Sequence, residues 1–245
     1  MSETNDSIHL SLIVPAYNEA LRLPPTLARV LEYLSAQPFT TELIIVDDGS
    51  SDGTGEVAEA AIKDFPLHRI VRNEPNRGKA LSVKRGLLEG RGKYLLFSDA
   101  DLSTPIEEAA KLLAELEAGA DVAIASRQLP DSVLTVHQPW YREVAGRMFG
   151  WINQIILLPG IPDSQCGFKA FRREAAHEIL SHQKLSGWAF DAELIFIARK
   201  LGLKIAQVPV TWTNDPNSKV KMLRDGFKMV ADLFRIRRLH RRLKA

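Results

Sequence analysis

With 245 residues, 45% of them hydrophobic, the chain can bury one sizeable core. No stretch reaches the roughly 18 apolar residues of a membrane span, the polar start Met1-Ser2-Glu3-Thr4-Asn5-Asp6 resembles no targeting peptide, and the lone Cys166 excludes an internal disulfide and suits a reducing compartment, most simply the cytosol. The net charge of +2 hides a division: from Lys219 onward ten Lys or Arg oppose only Asp225 and Asp232, which leaves a body of charge −6 and predicts an anionic partner surface, membrane or nucleic acid.

Residues 8–14 predict a buried strand ended by Pro15, and a helix follows from Pro24-Pro25 to about Ser35. A second strand is expected over 42–46, then a helix over 54–63 with Glu56 near its positive end. A third strand (67–71), a helix (79–88), a fourth strand (93–97), a helix opening near Pro105 and a fifth strand (122–125) complete a βαβα rhythm. That rhythm predicts an α/β fold, a largely parallel sheet with helices on both faces.

The second half is less regular. An aromatic-rich helix over 140–158 stops at Pro159-Gly160 and can face either a membrane interface or the core. A strand is expected over 204–210 and a long helix over 220–243. On that helix Arg224, Lys228, Arg235, Arg238 and Arg242 share an arc of about 80°, beside an apolar arc of Leu223, Phe227, Val230 and Phe234. The pattern describes a helix on an anionic membrane surface or a docked helix with a solvated basic face. The division expected is 1–218 for the α/β domain and 219–245 for the basic helix.

Polar residues collect just past the predicted strand ends, where an open α/β sheet binds its ligands. Asp99-Ala100-Asp101 follows the fourth strand, and two such carboxylates suit Mg²⁺ or Mn²⁺, which also take substrate phosphates. Tyr17-Asn18-Glu19 is either a nucleotide-pocket wall or a plain turn. Asp47 and Asp48 adjoin, so at least one faces the site or solvent. Asn76-Arg77-Gly78-Lys79 opens a helix whose amino end suits phosphate, or forms a solvated basic turn. Gly53-Thr54-Gly55-Glu56-Val57-Ala58 imitates a dinucleotide fingerprint, yet residues 47–52 separate it from the strand and would repel a pyrophosphate. No P-loop sequence occurs, and the six histidines have no metal-ligand spacing.

Taken in order, Pro15-Ala16-Tyr17-Asn18-Glu19, the acidic run from Asp47 to Thr54, Asn76-Arg77-Gly78-Lys79, Asp99-Ala100-Asp101 and Asp163-Ser164-Gln165-Cys166-Gly167-Phe168-Lys169 resemble glycosyltransferase family 2, which has the Rossmann-like GT-A fold. The resemblance implies an inverting, metal-dependent hexosyltransferase with a nucleotide-sugar donor. It assigns Pro15, Tyr17, Asn18, Glu19, Asp99 and Ala100 to the nucleotide pocket. Asp48, with Asp47 as alternate, would meet the base, and Arg77 and Lys79 the phosphates. Asp101 would reach Mg²⁺ or Mn²⁺ directly, and Asp99 the ribose or a metal-bound water.

Segment 163–169, with Trp188 to Glu193 and Ser218-Lys219, is similar to members that glycosylate polyprenyl phosphates such as dolichyl phosphate. Arg127, Arg142, Lys169 and Lys219 are then candidate cations for the acceptor phosphate, with Lys169 equally a surface residue. Asp163 would orient the attack or cap a turn. Ser103, where many mannosyl-transferring relatives have Gln, favours UDP-glucose over GDP-mannose. A lipid acceptor implies a peripheral station at the cytoplasmic face of a membrane, through the basic tail or a membrane-protein partner. Nucleic acid is not expected, since only Phe227 and Phe234 interleave the tail's charges.

Overall fold

The computed structural model describes residues 8–215 and 222–243, with side chains of the last helix described from residue 226. The apolar runs of the first half become β1 (Leu10–Ala16), β2 (Thr41–Asp47), β3 (His68–Arg72), β4 (Tyr94–Ser98) and β5 (Val122–Ser126). Between them lie α1 (Leu23–Ser35), α2 (Thr54–Ile62), α3 (Lys79–Glu89) and, after a short 3-10 turn at Ile106–Glu108, α4 (Ala109–Glu117). The second half supplies β6 (Val133–Val136), α5 (Trp140–Ile156), β7 (Phe168–Arg172), α6 (Arg173–His182), α7 (Phe190–Lys200), β8 (Ile205–Pro209), β9 (Thr211–Thr213) and α8 (Met222–Leu239).

Among the described residues seven strands form one sheet in the order β3-β2-β1-β4-β7-β5-β8, and β6 pairs with β9 in a small separate ribbon. All neighbours in the large sheet are parallel except β7, which runs antiparallel to both β4 and β5. Every residue of β2, β4 and β5 is buried, as expected of strands covered on both faces. Alternate side chains serve two cores. Ile13, Ile44 and Val46 pack with α3, α6, α7 and α8, whereas Leu12, Val14, Leu43 and Ile45 pack with α1, α2 and α4.

Pro15 does not end the first strand; β1 runs on to Ala16, with Pro15 opposite Val46. The last pairing with β4 is Ile13 opposite Phe97, so Pro15 lies past the point where its missing N–H would break that ladder. Strands β6, β7 and β9 were not expected. In β7 a lysine interrupts the apolar alternation, and only the fold shows that Lys169 is fully buried. The last helix is docked: Leu233 and Ile236 enter the core beside α7, and His240 Nε2 lies 2.8 Å from Glu193 Oε1, both groups buried. Its apolar arc is not the buried face, because Phe227 and Phe234 remain exposed.

Candidate active site

The carboxyl ends of β1, β2, β4 and β5 and the amino end of β7 meet at one sheet edge. Helices α5 and α8 extend the wall there, and the cleft encloses about 1580 Å³. At its inner end the Asp99-Ala100-Asp101 turn leaves β4. The Ser103 N–H donates to Asp101 Oδ1 at 2.9 Å, and Leu102 takes φ +46°, a left-handed conformation uncommon for leucine. The Asp99 N–H donates to Gly167 O at 3.0 Å, and Asp99 Oδ1 pairs with the Lys79 ammonium at 2.6 Å. A Cβ on Gly167 would stand 2.0 Å from Asp99 Oδ2, so a larger residue there would displace the Asp99 carboxylate.

Burial, with the neighbouring charge of Asp99, raises the Asp101 carboxyl above its ordinary range. Two crowded carboxylates that both line the cleft fit a hard divalent cation that completes its shell on phosphates and water. Among the described residues no cluster of three or more His, Cys, Asp or Glu side chains could hold a metal. Burial works against the Lys79 ammonium, but Asp99, Asp191 and Asp101 overcome it and keep Lys79 raised. Lys79 therefore stays a cation beside the pair.

Asp48 and Asp47 part company. Asp48 lines the cleft, and its carboxylate accepts from Asn73 Nδ2 (2.8 Å) and the N–H groups of Arg77 (3.0 Å) and Gly78 (2.8 Å). Asp47 is fully buried away from the cleft, accepting from the Ser50 N–H at 3.0 Å, with Arg72 3.7 Å away. The alternate role expected for Asp47 does not fit this placement. Pro15, Tyr17, Glu19 and Ala100 line the cleft, and Glu19 is held by both the Nε and Nη2 of Arg22 at 2.8 Å. Arg22 also pairs with Asp215, which lines the cleft just past β9. Asn18 turns away to accept from the Ser51 N–H at 3.0 Å, so it shapes the loop. The Arg77 side chain likewise points elsewhere, into a shallow hollow beside α3, and only its N–H serves the site.

On the opposite wall Arg127 follows β5 and Asp163 precedes β7. Asp163 Oδ2 accepts from Arg127 Nε (2.7 Å) and the Arg127 N–H (2.9 Å), and Oδ1 accepts from Arg127 Nη2 (2.8 Å) and the Gln165 N–H (3.1 Å). Four bonds use all the acceptor positions of a carboxylate. Burial would raise Asp163, yet Arg127 holds it below the usual range, and Asp163 in turn holds Arg127 above its own. Asp163 thus caps a turn and aims Arg127, leaving nothing with which to orient an attack itself. The Arg127 guanidinium faces the cleft 5.4 Å from the Trp212 ring, and Arg142 reaches the same space from α5.

Lys169 is not a ligand facing the cleft. Its ammonium is buried between Cys166 O and Asp191 Oδ1, a structural ion pair beneath the site. Lys219 lies outside the described residues. Burial pushes the Cys166 thiol up to about 11, which leaves it inert near neutral pH. Asp191, in the first turn of a mostly buried helix, lines the cleft as well as pairing with Lys169; spacing sets it on a different helix side from Glu193 but does not bring it to the site. Burial, aided by Asp99, raises its carboxyl despite Lys169 and Lys79.

The sequence and the fold have known counterparts. The family model described as Glycosyl transferase family 2 matches residues 11–180. The dolichyl-phosphate beta-glucosyltransferase of Dictyostelium discoideum is 37% identical over 246 residues, covering 95% of this chain and 75% of that protein. The human dolichyl-phosphate beta-glucosyltransferase is 34% identical over 241 residues, 93% of this chain and 74% of that one. Mannosyl-3-phosphoglycerate synthase from Rubrobacter xylanophilus superposes with a TM-score of 0.69 at 22% identity, over 96% of this chain and 74% of that one. Glucosyl-3-phosphoglycerate synthase from Mycobacterium tuberculosis, solved with Mn²⁺, UDP and glucosyl-3-phosphoglycerate, superposes at 0.64 and 21% identity, over 94% and 80%. The mostly parallel sheet with its Asp-x-Asp turn is the GT-A fold, and the chain belongs to glycosyl transferase family 2.

Proposed function

We propose that the protein transfers glucose from UDP-glucose to the phosphate of a dolichyl or other polyprenyl phosphate, with inversion at the anomeric carbon. One observation carries this reading. A single cleft changes character along its length, from carboxylates and Lys79 inside, past Arg127 and Arg142, to an apolar outer wall with Phe149, Ile152, Phe227 and Phe234. Those zones match a nucleotide diphosphate, an acceptor phosphate and an isoprenoid chain in turn. The volume, about 1580 Å³, exceeds the roughly 300–1,000 Å³ of a single-ligand pocket and suits two substrates. The names of the relatives support glucose and dolichyl phosphate.

Pro15, Tyr17 and Asp48 bind the nucleoside, Asp48 being pre-set by its three loop donors. A divalent cation at Asp101 and Asp99, Mg²⁺ or Mn²⁺, supplies positive charge to the diphosphate when bound. Lys79 adds a second charge on the same side and orients Asp99. Arg127 and Arg142 hold the acceptor phosphate, which near neutral pH is already largely a dianion (second pKa about 6), so positioning matters more than a general base. The acceptor oxygen forms a bond to C1 as the bond from C1 to the diphosphate oxygen breaks, and UDP leaves with the electron pair. Asp163 serves by keeping Arg127 aimed. Because the acceptor's chain stays in lipid, the enzyme works at a membrane surface, which we place at the cytoplasmic face.

The test is a donor panel with purified protein, Mn²⁺ or Mg²⁺ and a short-chain polyprenyl phosphate. UDP-glucose is expected to give lipid-linked hexose, with no transfer after chelation. Preference for GDP-mannose by tenfold or more would replace glucose with mannose. Transfer only to a water-soluble acceptor would remove the lipid.

A further inference from the structure

Helix α5 is apolar on two opposite sides. Gly150 and Asn153 turn inward and are buried, and Phe149 and Ile152 reach the cleft. Opposite the buried pair Trp140, Val144, Met148, Trp151 and Ile155 form a stripe spanning about 80° of the helix at 100° per residue, and of these only Met148 also borders the cleft. Each of these five is between 56% and 76% exposed. Singly exposed apolar residues need no explanation, but a continuous stripe over the length of a helix marks a contact surface. Helix α8 packs beside α5, with Arg237 reaching towards the Ile156 carbonyl at 3.5 Å. Phe234 sits about 60° round that helix from Arg237, and Phe227 and Phe234 are 81% and 58% exposed. The two helices thus offer an uncovered apolar rim at the cleft mouth.

We infer that this rim is a bilayer-inserting surface, seated on lipid that includes anionic headgroups, and that it sets the cleft mouth against the membrane. Charge decides the occupant. The rim is bordered by exposed Arg147 of α5 and by exposed Lys228, Arg235 and Arg238 of α8. Two copies of the chain meeting through this face would oppose cations to cations, whereas an anionic lipid surface complements them. Tryptophans, here Trp140 and Trp151, prefer the interfacial zone of a bilayer. Among the described residues no helix is long and apolar enough to cross a membrane, so the contact lies in the interface plane. The inference deepens the lipid-acceptor reading and rests on it only for the purpose of the contact. It also moves the main contact from the basic tail to α5, since Leu233 and Ile236 fasten α8 to the core.

The experiment is co-sedimentation with phosphatidylcholine–phosphatidylglycerol vesicles that hold no polyprenyl phosphate. Wild type is compared with the combined Trp140→Asp, Trp151→Asp and Ile155→Asp variant, none of whose altered positions lines the cleft. The variant is expected to melt like wild type, to lose vesicle affinity at least tenfold, and to keep wild-type turnover on a water-soluble short-chain prenyl phosphate. Wild-type binding should also persist in part at high salt, where charge is screened over a few Å. Equal vesicle binding by both proteins, or none by wild type, overturns the inference. So does a wild-type dimer that the same substitutions dissociate, for the stripe is then an interface between copies. Because the vesicles contain no acceptor, failure of the glucosyl-transfer reading leaves this result standing, and the converse holds.

Discussion

On the donor side of the cleft each functional carboxylate sits within a few residues of a parallel strand's end, Asp48 after β2 and Asp99 and Asp101 after β4. On the acceptor side nothing is so local. Arg127 depends on Asp163, 36 residues away, and Arg142 and the apolar wall come from two helices packed together late in the chain. The donor side is therefore a consequence of sheet geometry, which gathers any polar strand-end residue at one edge. The acceptor side is a consequence of long-range pairing, and it should fail in a different way.

The sharpest contrast comes from Asp101→Ala. Removing this group is expected to lower transfer by about 10²–10³-fold, the cost typical of losing one preorganised electrostatic contact, with no change in melting temperature. Initial rates at saturating metal, with melting curves alongside, check it. Turnover near wild type would move the metal site elsewhere.

Asp163→Leu should instead strike stability. Leaving Arg127 without its partner is expected to cost about 3 kcal/mol, the low end for a broken buried pair because a quarter of the Arg127 side chain is exposed. The double variant Arg127→Leu/Asp163→Leu should recover part of that loss in denaturant titration. The pH dependence has a definite sign. Asp163 is lowered in the folded state, so its contribution is full above an unfolded value of about 3.9 and is lost as pH falls through the lower folded value. The gap between wild type and Asp163→Leu should thus be constant near neutrality and narrow only in strong acid.

A smaller effect is expected from Asp48→Asn. Asp48 organises the 73–78 loop and faces the nucleoside, so UDP should bind about tenfold more weakly, about 1.4 kcal/mol by calorimetry, with the acceptor KM unchanged. A rise in acceptor KM would show that the two sides are coupled more tightly than their separate construction implies.

Legibility follows the same line. The strands from β1 to β5 and their strand-end motifs were readable because buried parallel strands are nearly unbroken apolar runs. Asp101, Asp99, Lys79, Asp48 and Arg127 all come to the cleft where the sequence placed them. The misreadings concern side-chain direction. Arg77 and Lys79 stand two residues apart, yet one points to a hollow beside α3 and the other to Asp99. Lys169 stands in a motif at the cleft edge, but strand alternation turns it inward, beneath the site.

Periodicity alone determined that α5 and α8 are amphipathic helices and that the tail is basic. It did not distinguish core, cleft and lipid as the medium for an apolar face, since all three select the same residue types. Only the packing of α8 against α5 and α7 settled which faces are buried, which line the cleft, and which stay exposed. The chemistry-bearing residues were set by sequence, because carboxylates and cations declare their type. Their partners were set by tertiary structure, because a buried charge takes whichever opposite charge the fold brings within hydrogen-bond reach.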